Sequence, residues 1–441
     1  MTTKGQDLYR KARTLMPGGT QLLSKRPEMF LPEQWPCYCS RAEGASVWDL
    51  DGRQFTDVSN SAVGSCPLGF ADPDVNAAVK AAIDAGSMST LNCPEEVELA
   101  ELLCELHPWA QMVRYARTGG ESMAIAVRIA RAKTRRSQVA FSGYHGWSDW
   151  YLAANLGDPD VLGRKALLMP GLDPGGVPKE LAGTAHGFRF NKLDELEEIV
   201  SKHRGDLAAI VCEPQRHERP APGFLEGVRD IARDTGTVLI FDEITSALRM
   251  NPGGIHLLYG VTPDIAVFAK GIGNGFPIGA VIGTAAVMEA AQSTFISSTY
   301  WTERIGPTAA LATIQKYRRL NAHDRLIAAG RRVQSIWQTT ARDAKLDITI
   351  DDPDMPPLST MKFNYPNARA MQTLHCQMML DLGFLDNCGF YATCAHTDEI
   401  LSRYAEAVRQ VFPALAKAQS EGRVEKLLRG PVGHSGFARL T

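Results

Sequence analysis

Two short apolar runs in this chain each stop on ionisable residues: Val238-Leu239-Ile240-Phe241-Asp242-Glu243 and Ile265-Ala266-Val267-Phe268-Ala269-Lys270-Gly271. An unbroken, β-branched run of this length describes a strand buried on both faces, as in a parallel sheet covered by helices. Open α/β sheets bind their ligands beyond the carboxyl ends of the strands, so Asp242 and Lys270 are expected to meet there. A lysine at the end of such a strand has two readings. Either its long stem carries the charge to solvent, or it is a desolvated amine of low pKa, the nucleophile that a Schiff base needs.

An acid at the end of a hydrophobic strand also occurs in nucleotide hydrolases, where it handles magnesium. That reading requires a GxxxxGK[ST] loop, which the sequence lacks. Asp and Lys on neighbouring strands suit pyridoxal 5'-phosphate instead, the carboxylate holding the pyridinium nitrogen and the lysine holding the aldehyde.

The spacing predicts a helix over Asp7–Leu15, stopped by Pro17-Gly18-Gly19, and a hairpin over Ala45–Arg53 turning at Asp51-Gly52. Helices are expected over Pro73–Ala85 and Pro94–His107. The pattern then alternates: strand Met112–Ala116, helix Glu121–Arg136, strand Gln138–Ser142, helix Leu193–His203, strand Ala208–Cys212, helix Phe224–Thr235, and the two opening runs. Such alternation means an α/β chain with a mostly parallel sheet between helices. Asn155–Gly183 is Gly/Pro-rich and too long for an ordinary connection, which points to a lid or an interface loop. Later come helices Pro307–Arg318 and Asn321–Ala344, strands Leu346–Ile350 and Thr360–Asn364 of a smaller domain, and closing helices within Thr397–Leu428.

The 441 residues, 44% of them hydrophobic, are enough for two or more domains. A net charge of -2 offers no basic field to nucleic acid or anionic lipid. No apolar run reaches membrane-spanning length, and Met1–Met16 lacks the apolar core of a signal peptide. Nine cysteines, odd in number and without CxxC spacing, argue for reduced thiols rather than a zinc site or disulfide framework. A cytoplasmic protein with no metal, nucleic-acid or membrane partner is expected.

Three further strand ends carry candidate chemistry. Arg117-Thr118-Gly119-Gly120-Glu121-Ser122 opens a helix, where glycines let backbone amides approach a phosphate; a tight turn without a ligand is the other reading. The helix dipole adds about 0.3–1 kcal/mol, so the amide hydrogen bonds matter more. In Gly143-Tyr144-His145-Gly146-Trp147, Tyr144 is placed to lie flat on a pyridine ring. His145 is a proton carrier or a structural histidine, and Trp147 and Trp150 are expected in the core. Glu213, after Ala208–Cys212, sits at the same edge and is expected to orient other groups. These strand ends therefore offer groups suited to one planar, phosphorylated cofactor.

These residues resemble those of the class III aminotransferases of pyridoxal-phosphate fold type I, within them the glutamate-1-semialdehyde 2,1-aminomutase-like branch. The resemblance runs from Met16-Pro17-Gly18-Gly19 through the carboxyl-terminal domain. The family's phosphate loop, Ser-Gly-Thr-Glu-Ala, falls on Thr118-Gly119-Gly120-Glu121-Ser122, and its ring-stacking aromatic and following histidine on Tyr144-His145. Its Asp-Glu strand end falls on Asp242-Glu243 and its Schiff-base lysine on Lys270. The threonine that reaches the phosphate from the partner subunit falls on Thr299, with Thr302 as second candidate.

The resemblance implies a seven-stranded sheet in a large pyridoxal-phosphate-binding domain over 71–318. It also implies a smaller α+β domain over 319–441 to which residues 1–70 contribute, and a homodimer with both active sites at the interface. The implied enzyme is an aminotransferase moving an amino group between a small-molecule amino donor and a carbonyl acceptor through Lys270, with Asp242 and Tyr144. The alternative is an aminomutase that returns the amine to the same carbon skeleton.

The sequence departs from the family in places. Gly120 replaces a threonine, and Ala247-Leu248-Arg249 stands where Gly-Phe-Arg is common. Lys25 and Arg26 both lie near the position of the aminomutases' carboxylate-binding arginine. Gln215 and His217 both stand near the family's contact to the ring hydroxyl.

Overall fold

The computed structural model describes residues 3–156, 172–434 and 436. The expected lid over Asn155–Gly183 therefore falls in large part outside the described residues. The chain divides into two compact units, Met1–Asp72 with Ala322–Thr441, and Pro73–Asn321.

In the first unit, β1 (Cys39–Glu43), β2 (Ser46–Asp49) and β3 (Gln54–Asp57) form an antiparallel meander. Asp49 closes the β2–β3 turn by accepting the amides of Asp51 and Arg53, each at 2.9 Å. The second unit supplies β4 (Met112–Ala116), β5 (Gln138–Ser142), β6 (Ala185–Gly187), β7 (Leu207–Cys212), β8 (Val238–Asp242), β9 (Ile265–Phe268) and β10 (Gly279–Gly283). The chain then returns to the first unit with β11 (Ile348–Asp351), β12 (Leu358–Phe363), β13 (Phe384–Leu385) and β14 (Gly389–Tyr391). β13 extends the meander beside β3, and β11-β12-β14 form a separate sheet. The helix Ala368–Asp381 has no counterpart in the sequence reading. Eight of its fourteen residues are buried, so no single apolar stripe marks it. Among the described residues, no helix is long and apolar enough to cross a membrane.

The sheet of the second unit has the order β4-β10-β9-β8-β7-β5-β6. β10 alone runs against the others, pairing antiparallel with both β4 and β9. Its connection from β9 is too short to hold a crossover helix, and a parallel strand needs one. β7 through β10 are buried at every position.

Successive residues of a strand face opposite sides of the sheet. Along β8, Val238 and Ile240 pack with Met123, Val127 and Ala130 of the helix Gly119–Thr134. Leu239 and Phe241 pack on the other side, with Leu196 and Ile199 of Leu193–Lys202 and Phe224 and Val228 of Phe224–Thr235. Each such fully buried side chain contributes about 1.5–3 kcal/mol.

The alternation separates two adjacent carboxylates. Asp242 falls on the side of Ile240, while Glu243, at 0% exposure, turns the other way. One Glu243 oxygen accepts from the amide (2.9 Å) and Nδ1 (2.8 Å) of His256, and the other from Ser246 Oγ at 2.6 Å. The Trp109 indole N–H donates to His256 Nε2 at 3.0 Å, which fixes His256 as the neutral tautomer with its proton on Nδ1. Burial alone would raise the Glu243 carboxyl, but these donors bring it below its ordinary value. Glu243 thus clamps the chain just beyond the end of β8. His256→Phe should remove its main partner and lower stability by about 2–3 kcal/mol, read as an earlier midpoint in urea unfolding.

Candidate active site

Five strand ends, those of β4, β5, β7, β8 and β9, bring polar groups to one edge of the sheet. β8 and β9 are parallel neighbours, so Asp242 and Lys270 leave the sheet at the same edge. Asp242 is buried. Its Oδ2 lies 2.8 Å from His145 Nδ1, and its Oδ1 accepts the Ile244 amide at 3.0 Å. The other His145 nitrogen, Nε2, donates to the Ser142 carbonyl at 3.1 Å. The imidazole is therefore wedged behind Asp242, stacked near Trp150 with ring centres 6.2 Å apart.

Lys270 follows β9 with φ at +45°, in the left-handed region that costs a side-chain-bearing residue about 1–2 kcal/mol. Its Nζ donates to Thr245 Oγ1 at 2.7 Å. Burial lowers the Lys270 pKa to about 8, and Arg216 and Arg249 push the same way against Glu213 and Asp242. Thr245 also accepts, through its carbonyl, the Nε–H of the buried Arg249 at 3.2 Å. Sequence reading missed Thr245; its only signal was its place three residues after Asp242.

Glu213 leaves β7 buried. Its Oε2 accepts the Tyr144 amide at 3.2 Å, and its two oxygens lie 3.1 and 3.4 Å from Arg216 Nη1. This contact requires Gly143, which has φ at +112° and where a Cβ would meet Glu213 Oε2 at 2.6 Å. Burial would raise the Glu213 carboxyl, but Arg216, His145 and the Tyr144 amide bring it below the ordinary range. Tyr144 is half-buried, its ring edge-on to Tyr151 at 6.0 Å. Arg216 was also missed, because it lies three residues beyond Glu213 in a loop with no regular period.

After β4, Thr118 caps the helix Gly119–Thr134 in a reciprocal box with Glu121. That consumes the Glu121 amide, while the Ser122 amide bonds the Thr118 carbonyl at 3.0 Å. The Gly119 and Gly120 amides open the helix with no intrahelical acceptor. A Cβ at Gly119 would meet Ile244 Cδ1 at 2.8 Å, and one at Gly120 would meet the Trp147 indole at 3.1 Å. The hydroxyl lost at Gly120 thus makes room for Trp147. That residue is 70% exposed, contrary to the expected core position, because it lies on the outer side of this turn. Trp150 is in the core.

The remaining candidates lie elsewhere. Thr299 and Thr302 sit exposed on the turn Thr299–Thr302, the Thr302 hydroxyl donating to the Thr299 carbonyl at 3.1 Å. Gln215 is buried and accepts from the Tyr259 hydroxyl, and His217 is exposed. Lys25 and Arg26 belong to the first unit, the Arg26 guanidinium lying against Gly18. A buried carboxylate, an amine of lowered pKa and two helix-opening amides together suit a phosphorylated aldehyde with a basic ring nitrogen.

The family described as aminotransferase class-III matches residues 31–345. The chain is 30% identical over 425 residues to a 3-aminobutyryl-CoA aminotransferase of Cloacimonas acidaminovorans, covering 94% of this chain and 98% of the relative. It is 31% identical over 442 residues to a glutamate-1-semialdehyde 2,1-aminomutase of an Anaeromyxobacter strain, covering 94% and 99%. Among solved structures, an omega-transaminase from Sphaerobacter thermophilus superposes with a TM-score of 0.83 at 26% identity, over 94% of this chain and 98% of that one.

The lowered Lys270 pKa has a direct readout. In ligand-free protein, the rate at which an amine-directed reagent modifies residue 270 should climb through pH about 8. A climb near the ordinary lysine value of 10.5 would show that the amine is not desolvated.

Proposed function

Because the chain belongs to the class III aminotransferases and is a pyridoxal-phosphate-dependent transaminase, we propose that the unit Pro73–Asn321 binds the cofactor and that Lys270 is its point of covalent attachment. The observation that carries this reading is Lys270 itself, a half-buried lysine with its pKa lowered to about 8, one strand away from a buried aspartate. Asp242 would hold the ring nitrogen in its protonated form, with His145 fixed behind the carboxylate. Tyr144 would stack on the ring. The Gly119 and Gly120 amides would receive the phosphate, and Thr118 shapes that turn as its cap.

When bound, pyridoxal phosphate supplies an electron-withdrawing ring that takes up the charge left by a departing substrate proton. Once released, Lys270 Nζ would take that proton from the substrate carbon and return it; the free amine has Thr245 Oγ1 within hydrogen-bond reach at 2.7 Å. A positioned base of this kind contributes on the order of 10²–10⁴-fold in rate. Glu213 holds the Tyr144 amide and so fixes the aromatic loop.

The working enzyme in this reading is a homodimer, in which Thr299 reaches the phosphate of the second copy. Leu91, Trp147, Phe295 and Tyr300 are all strongly exposed in the unit that carries Thr299, and a second copy covering them would remove that apolar surface from water. All nine cysteines are free thiols, which supports a cytoplasmic protein.

Lys270→Ala should abolish turnover while the protein remains folded, and borohydride should fix the cofactor to residue 270 only in the parent. A half-reaction with an amino donor and no acceptor should release a keto product; none with any donor would instead mark an intramolecular shift of the amine. Thr299→Ala should weaken cofactor retention about tenfold. Mixing inactive Lys270→Ala copies with Thr299→Ala copies should restore one complete site per hybrid dimer. No restoration would remove Thr299 from the partner's site.

A further inference from the structure

Burial and the charges of Arg216 and Arg249 push Lys270 towards its neutral form. That suits a nucleophile and a base. A base that carries a proton from one carbon to another must also hold it, as a cation in surroundings that disfavour one. The proton-loaded lysine therefore needs a hydrogen-bond acceptor of its own.

Thr245 Oγ1, 2.7 Å from Nζ, is the only acceptor that the described residues offer the amine. Glu213 and Asp242 favour the cation through their charge, but both are engaged by other donors. The Tyr144 amide and Arg216 take Glu213, and the Ile244 amide and the His145 contact take Asp242. The Thr245 hydroxyl has no other hydrogen-bond partner among the described residues, so it is left to the lysine. It is also fixed in place. Thr245 is buried, the amide just before it is tied to Asp242 Oδ1, and its own carbonyl accepts Nε of the buried Arg249. The turn after β8 thus sets this oxygen relative to Asp242, and the amine reaches it from the neighbouring strand.

We propose that Thr245 is a positioning residue for Lys270: its hydroxyl oxygen accepts one N–H of the ammonium and holds the lysine as the loaded proton carrier. This rests on Lys270 being the cofactor's attachment point and the base of the reaction. The electron pair of the breaking C–H bond stays with the substrate, the Nζ lone pair takes the proton, and the return step reverses both. Thr245 itself neither gains nor loses a proton.

The test compares Thr245→Val, which keeps the shape and removes the oxygen, with Thr245→Ser, which keeps the oxygen. In ligand-free protein, the pH at which an amine-directed reagent modifies residue 270 half-maximally should fall by about one unit in Thr245→Val, because the ammonium has lost its acceptor. It should return to the parent value in Thr245→Ser. Where the valine variant does not fold, Thr245→Ala removes the same oxygen and should shift the midpoint the same way. In cofactor-loaded protein, the half-reaction with an amino donor that the parent accepts should slow about tenfold without the oxygen and recover in Thr245→Ser. An unchanged or higher midpoint in the variants lacking the oxygen, an undiminished half-reaction there, or no recovery with serine would overturn the proposal. A parent protein that borohydride does not fix to the cofactor at residue 270 would instead overturn the underlying site.

Discussion

The two-residue period of β8 sends neighbouring carboxylates to opposite sides of the sheet, and the arrangement of the edge depends on it. Asp242 leaves on the side covered by the helix Gly119–Thr134, whose first amides lie at the same edge. Glu243 leaves on the other side and is consumed by His256 and Ser246. A one-residue slip of β8 would exchange the two groups and move every apolar side chain of the strand to the wrong layer. The packing of Val238, Leu239, Ile240 and Phe241 against two separate helix layers therefore fixes which acid lies on the side of the helix Gly119–Thr134.

Close backbone approaches then tie the edge together. Gly119 lies against Ile244, two residues beyond Asp242, and Gly120 lies against Trp147 on the aromatic loop. Gly143 lies against Glu213, whose carboxylate holds the next residue's amide. The loops after β4, β5, β7 and β8 thus restrain one another, and each polar group meets its neighbours without first ordering a chain segment. That is how a static scaffold supplies orientation before any ligand arrives.

The layered core and its edge could be read from the sequence because fully buried strands leave unbroken apolar runs, and the residues just past each run are the ones the edge displays. Lys270, Asp242, Tyr144, His145 and Glu213 were all visible in this way. Arg216 and Thr245 were not, since their places are set by loop geometry rather than period. The helix Ala368–Asp381 escaped because burial on most of its faces erases the stripe by which helices are recognised. β6, β13 and β14 are too short for any alternation to appear. Trp147 was misplaced because a large aromatic reads as core wherever it stands, and only the turn at Gly120 turns it outward.

The left-handed backbone of Lys270 separates folding from chemistry at a single position. Glycine or asparagine would adopt that conformation more readily, and either would spare the fold a partly desolvated amine. A chain with glycine or asparagine at 270 would thus be at least as comfortable as the parent. Any selection acting on solubility or abundance alone would tend to discard the lysine, because the local backbone gives no reason of its own for that side chain.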